Sequence, residues 1–285
     1  MRIRLIVTDL SNTRIGGISR VATEVGRNLV ELGHDVSACL LQRNDCEPVS
    51  EFTGIKLKYV EPFRSVNPDY PVVEFSRRAF LQTVADAERG EIDVVQTFNL
   101  NCIGLSKYHR QLRQASTPVV MSCYETIGMD VQAKLSEFRS LPSPKTLVQI
   151  LGETYLMTMH ERRYLKLADA IVTEDENTLR ALKKMGIDPN KVTLIPSGVD
   201  VEQAQQTVAP EVDKPWSEGG PVIGYIGRVD PRKGVQYLVQ AMPDVRKAFP
   251  QAQLVLAGGS RHGYDAVIRQ MIERLDIGEC VHVLG

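Results

Sequence analysis

Three basic residues stand in a glycine-bounded segment at residues 227–234, which reads Gly-Arg-Val-Asp-Pro-Arg-Lys-Gly, and two of them, Arg228 and Lys233, are candidate ligands of an anion. Pro231 keeps this segment from running straight into the helical pattern that follows, so we expect Arg228 and Lys233 to converge. Permanent cations beside the free N–H groups of a helix start can hold a diphosphate without a metal ion. The segment is not a Walker A loop, because its lysine is followed by glycine instead of Ser or Thr. A solvated basic turn that caps a helix is the alternative interpretation.

A second candidate phosphate loop contains Gly16 and Gly17, between an apolar run at residues 3–8 and an amphipathic helical period at residues 18–32. Glycines let a backbone approach a ligand closely, and the helix that follows directs unpaired N–H groups at any anion there. The segment is not a dinucleotide fingerprint, because the next glycine, Gly26, falls in the middle of the helix. A tight turn between strand and helix is the alternative.

Composition excludes several classes of protein. The 285 residues carry 34 Lys and Arg against 35 Asp and Glu, which gives a net charge of −1 and disfavours nucleic acid as the main partner. The five cysteines include no C-x-x-C pair, so neither a zinc site nor a disulfide scaffold is expected. The sequence has no apolar run long enough to span a bilayer and no secretory leader pattern, so we expect a cytoplasmic protein.

Short β-branched runs alternate with helical periods along the chain, which predicts an α/β fold of parallel sheets covered by helices. Length favours two domains. We place the first at 1–200, a Pro- and Gly-containing linker at 201–220, and the second at 221–285. The second has only three of the roughly six strands of a doubly wound sheet, so we expect it to be incomplete. Residues 124–145 lack clean periodicity and are predicted to be a long loop, followed by a helix over 146–167.

Polar residues follow two of the predicted strands. Asn99 comes after the strand at 92–97 and is expected either to bond a sugar hydroxyl or to cap the next helix. Tyr124 and Glu125 come after the strand at 118–123, where they are expected to contact a substrate or simply to be solvated. Two glutamates eight residues apart, Glu153 and Glu161, lie among basic residues on one helix and are interpreted as a solvated face.

Several strings occur in one order along the chain: Gly16-Gly17-Ile18, Leu32-Gly33-His34-Asp35, Ala168-Asp169-Ala170, Ile195-Pro196-Ser197-Gly198, Gly227-Arg228 with Lys233-Gly234, and Ala257-Gly258-Gly259. In this order and at these separations they resemble the GT-B glycosyltransferases of family 4, the glycosyl transferases group 1. The resemblance covers essentially the whole chain and is most specific over 168–259.

The resemblance implies two Rossmann-like domains that face a cleft, with an acceptor bound mainly by the first and a nucleotide-sugar donor bound mainly by the second. It implies transfer with retention, without a metal ion or a cofactor; the absence of an Asp-x-Asp pair fits this expectation. Arg228 and Lys233 would neutralise the donor diphosphate and stabilise the leaving group, and Gly16 and Gly17 would let backbone approach the same phosphates.

The acceptor and the activity stay open at this stage. A sugar, a lipid and a small molecule are all compatible acceptors, with Asn99, Tyr124 and Glu125 as their candidate contacts. Basic helical residues are expected to form a solvated face, with a peripheral contact to the inner face of a membrane as the alternative; they are Arg162, Arg163, Lys166, Arg180, Lys183 and Lys184.

The family's E-x7-E pair of the second domain is missing after residue 220, so the alternative to an enzyme is an inactive, truncated binding or regulatory module or gene fragment. The oligomeric state is not predicted.

Overall fold

The structure is a computed structural model that describes residues 1–12, 16–43, 47–61, 72–140, 144–199, 201–206, 216, 219–260 and 263–285. The strands are β1 (Arg2–Ile6), β2 (Asp35–Leu41), β3 (Glu51–Phe52), β4 (Ile55–Val60), β5 (Val94–Phe98), β6 (Val119–Ser122), β7 (Ala170–Thr173), β8 (Val192–Leu194), β9 (Val222–Ile226), β10 (Gln253–Ala257) and β11 (Val281–Val283). The helices are α1 (Gly17–Glu31), α2 (Val72–Glu88), α3 (Leu105–Gln114), α4 (Ile127–Ser140), α5 (Pro144–Leu156), α6 (Arg162–Leu167), α7 (Glu176–Lys184), α8 (Val201–Gln206), α9 (Val235–Ala248) and α10 (Tyr264–Arg274). This alternation confirms the predicted α/β class.

The first eight strands form one sheet in the order β3-β4-β2-β1-β5-β6-β7-β8. Every neighbouring pair is parallel except β3 with β4. The strand order reverses between β1 and β5, because the chain first builds outward through β2 and β4 and then returns to build outward from β5. Loops leave the carboxyl ends of two such strands in opposite directions, which opens a crevice where ligands bind in open α/β sheets.

Apolar residues cover both faces of this sheet. On one face, Ala22 of α1 packs with Leu5 and Ile55 of the sheet. On the other face, α2 and α3 contribute a larger core that includes Phe75, Phe80 and Leu112. Both cores are buried, so the strands in the middle of the sheet are held from two sides, as expected of a doubly wound sheet.

The chain divides into two compact units. The first comprises Met1–Asp130 and Leu151–Gly198, and the second comprises Val131–Ile150 and Val199–Gly285. The second unit contains a parallel three-stranded sheet in the order β11-β10-β9. Its core includes Leu254 and Leu256 on the central strand.

The predicted long loop at residues 124–145 is wrong, because α4 and α5 occupy most of this range. Ile127 and Val131 are spaced one helical turn apart and are both buried, so the helical signal was present but short. Pro144 is the first residue of α5, a position where proline costs a helix nothing. The helix predicted over 146–167 is interrupted by one π-helical turn at Met157–Glu161.

Gly104 allows α2 and α3 to approach closely, because a Cβ atom there would lie 2.6 Å from the Ser76 carbonyl oxygen. We therefore expect Gly104→Ala to destabilise the fold by about 1–3 kcal/mol. Gly152→Ala is the matched control, since a methyl group on Gly152 would meet nothing within 4 Å. It should be neutral or stabilising by up to about 1 kcal/mol. Urea denaturation of both variants measures the difference, and equal stabilities would contradict the close approach.

Candidate functional site

The loop after β9 is pressed against the loop after β10. Gly227 and Gly258 have φ angles of 151° and 131°. A Cβ atom on Gly258 would lie 2.2 Å from the carbonyl oxygen of Gly227, so no other residue fits there without displacing backbone. The Val229 N–H also donates to the Gly259 carbonyl oxygen at 3.0 Å. These contacts fix the backbone on which the two predicted cations stand.

Arg228 and Lys233 are both exposed in the second unit. The Tyr225 hydroxyl donates to the Arg228 carbonyl oxygen at 2.6 Å, and the Lys233 N–H donates to the Asp230 carbonyl oxygen at 3.0 Å. The Arg228 guanidinium lies 3.3 Å from the Asp230 carboxylate, with 47% of its side chain exposed. The Asp230 side chain is only 7% exposed, so it holds the guanidinium from the protein side, while the exposed part of the Arg228 side chain is open to an incoming anion. Lys233 forms no ion pair with any residue that the structure describes.

The start of α1 has the features of an open anion site. Gly16 precedes the helix in an extended conformation, and the first turn contains neither a side-chain cap bond nor an acidic residue. A methyl group on Gly17 would meet nothing within 4 Å, so this glycine leaves free space in front of the helix. Residues 13–15 of the same loop lie outside the described residues.

The structure brings Asn99 and Tyr124 together in the first unit. The Asn99 side-chain oxygen accepts a hydrogen bond from the Tyr124 N–H at 2.8 Å. Phe98 is the N-cap of the 3₁₀ turn Asn99–Cys102 and Gly104 is the N-cap of α3, so the expectation that Asn99 caps the next helix is wrong. Glu125 follows in the chain and is half-buried. The carboxyl ends of β5 and β6 therefore carry these predicted residues at one edge of the sheet.

A hydrogen bond between two polar side chains joins the carboxyl ends of β5 and β6. The Gln96 side-chain amide donates to the Ser122 hydroxyl at 2.7 Å. Burial raises the pKa of Tyr124, although a hydrogen bond with Ser122 acts in the opposite direction. The Tyr124 side chain is thus half-buried beside these strand ends.

Glu153 and Glu161 are buried, so their interpretation as a solvated face is wrong. Their exposed fractions are 4% and 2%. Both fall on the helical stripe that also buries Ile150 and Tyr164, and this spacing was the signal that sequence reasoning missed. The flanking residues Arg162 and Arg163 are exposed, which made the whole segment look like a solvent face.

The Glu161 carboxylate reaches across to the start of α4. Its Oε1 atom accepts a hydrogen bond from the Ile127 N–H at 2.6 Å, and its buried Oε2 atom has no hydrogen-bond partner among the residues that the structure describes. Burial raises the pKa of Glu161 to about 7, while the N–H groups of Ile127 and Gly128 pull it the other way. This carboxylate therefore changes charge near neutral pH.

The basic helical residues are exposed as predicted: Arg162, Arg163, Lys166, Arg180, Lys183 and Lys184. No helix in the described part of the chain is both long and apolar enough to cross a membrane. Within the same residues, no three His, Cys, Asp or Glu side chains come together in a way that could hold a metal ion.

Comparison with known families decides the identity of the fold. The profile of Glycosyltransferase Family 4 matches residues 15–203, and that of Glycosyl transferases group 1 matches residues 211–285. The chain belongs to glycosyltransferase family 4. The family 4 match covers the unit that carries Asn99 and Tyr124, and the group 1 match covers the loop that carries Arg228 and Lys233.

Curated relatives of this family 4 chain include three whose names contain phosphatidylinositol. A GDP-mannose-dependent monoacylated α-(1-6)-phosphatidylinositol monomannoside mannosyltransferase of Corynebacterium glutamicum is 33% identical over 124 residues, or 41% of this chain and 31% of that protein. A component of the phosphatidylinositol N-acetylglucosaminyltransferase of Arabidopsis thaliana is 24% identical over 99% of this chain and 57% of that protein. The phosphatidyl-myo-inositol mannosyltransferase of Mycobacterium tuberculosis is 32% identical over 46% of this chain and 32% of that protein. The chain thus matches between about a third and three-fifths of the length of these relatives.

Solved structures agree with the GT-B fold. Anabaena HepE in complex with UDP matches with a TM-score of 0.63 at 16% identity, covering all of this chain and 69% of that one. The Escherichia coli trehalose-6-phosphate structure bound with UDP-2-fluoro glucose matches with a TM-score of 0.58 at 13% identity, covering all of this chain and 73% of that one. The family 4 chain therefore has the Rossmann-like α/β architecture expected from its sequence.

Burial of the Glu161 charge has a measurable consequence for stability. Its folded pKa of about 7 lies above the ordinary value of 4.5, so the native state holds the proton more tightly. The free energy of unfolding should therefore fall as pH rises from about 4.5 to 7. We expect Glu161→Gln to remove this fall, so that its stability relative to wild type rises by about 2–3 kcal/mol between pH 5 and 8.

Asp175→Asn provides a control, because the fold lowers the pKa of Asp175 and raises that of Glu161. Hydrogen bonds from Thr178 and Asn177 hold the pKa of Asp175 below its usual value against the effect of burial. The stability that Asp175 contributes is lost only as pH falls below about 4, so this variant should differ from wild type by a constant between pH 5 and 8. Denaturation curves across this range decide the matter. A Glu161→Gln curve parallel to that of wild type would contradict the buried charge.

Proposed function

We propose that this chain binds the substrates of a retaining glycosyltransferase, which moves a sugar from a nucleotide-diphosphate sugar to a hydroxyl group of a sugar, lipid or small-molecule acceptor. The observation that carries the proposal is the pair of exposed cations, Arg228 and Lys233, on a backbone fixed by glycines at the carboxyl end of β9. Membership of family 4 supports it, as does the UDP named in the HepE structure.

In the proposed reaction, Arg228 and Lys233 bind the donor diphosphate. As the bond between the sugar's anomeric carbon and the diphosphate oxygen breaks, the acceptor hydroxyl oxygen bonds to that carbon and its proton passes to the leaving diphosphate, on which negative charge grows. The guanidinium and ammonium stabilise that charge more than the charge of the intact donor, which lowers the barrier. Two such cations supply this without a metal ion or a cofactor. In the first unit, the open space before α1, at Gly17, leaves room for an anion at the N–H groups of that helix start.

The acceptor is proposed to bind to the first unit. Asn99, Tyr124 and Glu125 stand at the carboxyl ends of β5 and β6, beside the point where the strand order reverses. Because the names of three relatives contain phosphatidylinositol, phosphatidylinositol is the first acceptor to test. Such an acceptor lies at a membrane surface, where the exposed Arg162 and Arg163 would favour anionic lipid.

Loss of the Arg228 side chain should weaken nucleotide binding. Charge-assisted hydrogen bonds of this kind contribute about 1.5–3 kcal/mol, so Arg228→Ala should weaken binding of GDP, UDP or ADP by about tenfold or more. Isothermal titration calorimetry of wild type and variant in the presence of EDTA measures the change.

Arg269→Ala is the matched control, because Arg269 is an exposed arginine of the same unit on α10. It removes the same charge from the protein and should leave the affinity unchanged. Equal affinity in wild type and Arg228→Ala would contradict the assignment of Arg228. Loss of affinity in both variants would attribute the effect to net charge instead of to this loop.

A further inference from the structure

The segment of residues 122–127, which runs from the last residue of β6 to the first residue of α4, is held by side chains from three other parts of the first unit. Asn99 bonds the Tyr124 N–H from the turn after β5. The Thr178 hydroxyl lies 3.0 Å from the Tyr124 carbonyl oxygen. Glu161 bonds the Ile127 N–H from the π-helical turn after α5. The segment, which we call the Tyr124 loop, therefore has its backbone fixed at both ends by tertiary contacts.

Asn99 adopts a costly conformation to make its contact. Its φ angle is +44°, in the left-handed region that residues with side chains seldom occupy, and it is 9% exposed. Strain of this kind persists where the surroundings fix it, and it clusters at functional sites. In this conformation the Asn99 side chain accepts a hydrogen bond from the Tyr124 N–H, which lies outside the turn that contains Asn99.

Glu161 is more than a helix cap. The start of α4 already has a local partner, because the Thr126 hydroxyl accepts from the Met129 N–H at 3.3 Å. A local cap needs no buried carboxylate, and burying one is costly. Within the described part of the chain, the second oxygen of Glu161 has no hydrogen-bond partner, which adds to that cost. The hydrogen bond between the buried Glu161 carboxylate and the Ile127 N–H joins the helix around residue 161 to the end of the Tyr124 loop.

The other titratable groups that face Glu161 are Cys123 of the Tyr124 loop and Tyr164 of α6. Burial raises the pKa of both groups, so both stay protonated near neutral pH. The carboxylate of Glu161 is accordingly the group among these three whose charge changes between pH 6 and 8.

We propose that Glu161 is a positioning residue, whose ionised carboxylate anchors the Tyr124 loop and so sets the backbone that presents Tyr124 and Glu125 to the acceptor. The presentation to an acceptor rests on the proposed function, while the anchoring does not. Glu161 itself lies behind the loop and acts through it. The acceptor side of the reaction should then depend on Glu161, and the donor side, which is assigned to Arg228 and Lys233, should not.

The anchoring is tested by amide NMR. In ¹⁵N-labelled wild type, the N–H signals of Ile127 and Gly128 should shift with pH around a midpoint near 7, since both face the titrating carboxylate. The same signals should not shift in Glu161→Gln. The Met129 N–H, which bonds Thr126, is the internal control and should shift much less. Identical pH responses in wild type and Glu161→Gln would overturn the proposal.

The effect of Glu161 on the reaction is tested by comparing the KM for the acceptor with the KM for the donor. With phosphatidylinositol vesicles as acceptor and GDP-mannose or UDP-glucose as donor, Glu161→Ala should raise the acceptor KM by about tenfold and leave the donor KM within about twofold. Glu161→Gln keeps one accepting oxygen but carries no charge, so it should restore only part of the loss at pH 8. The acceptor KM of wild type should rise as pH falls below 7 toward that of Glu161→Gln, which should stay level.

The outcomes separate this proposal from the proposed function. Equal rises in both KM values would mean a general loss of structure and would overturn the positioning role. If wild type transfers no sugar with either donor while the Ile127 signal still titrates, the proposed function fails and the anchoring of the loop stands. If wild type is active and the Ile127 signal does not titrate, the proposed function stands and the anchoring fails.

Discussion

The direction of the parallel sheet is the constraint on which the first unit depends. Because neighbouring strands from β4 to β8 are parallel, every loop that leaves a carboxyl end emerges at the same edge. The reversal of order between β1 and β5 then separates the loops at this point. Asn99 stands directly after β5, and the loop to Gly16 and Gly17 follows β1. Polar residues that are far apart in sequence share one edge for this geometric reason.

At that edge the first unit keeps two residues that cost it stability. A core would be cheaper without a buried carboxylate or a strained asparagine, yet Glu161 and Asn99 are both kept among apolar residues. Both are directed at the backbone of one short segment, which carries Tyr124. In the second unit a loop backbone is also held in place, but by glycines, since Gly227 and Gly258 bring two loops into backbone contact. Each unit thus fixes a loop backbone, which carries half-buried side chains at Tyr124 and Glu125 in the first unit and exposed cations in the second.

The sequence predicted the parts of this architecture that repeat. Alternating β-branched runs and helical periods were sufficient for the α/β class, and glycines beside cations marked the loop after β9. Features that depend on contacts between distant residues were missed. Glu161 looked solvated because its chain neighbours are basic, although its partner, the Ile127 N–H, lies 34 residues away. Asn99 was expected either to bond a sugar hydroxyl or to cap the next helix, whereas its side chain bonds the Tyr124 N–H in the segment that follows β6. Helix α4 was missed because its apolar stripe is short.

The central claim is that the loop after β9 holds the diphosphate of a nucleotide donor. The most direct measurement is a titration of the ¹⁵N-labelled chain with UDP and GDP in the presence of EDTA, followed by amide chemical shifts. We expect the largest shifts at Gly227, Arg228, Lys233 and Gly234, with saturation at a common nucleotide concentration. Shifts confined to other parts of the chain, or no saturable shift at these four amides, would contradict the account.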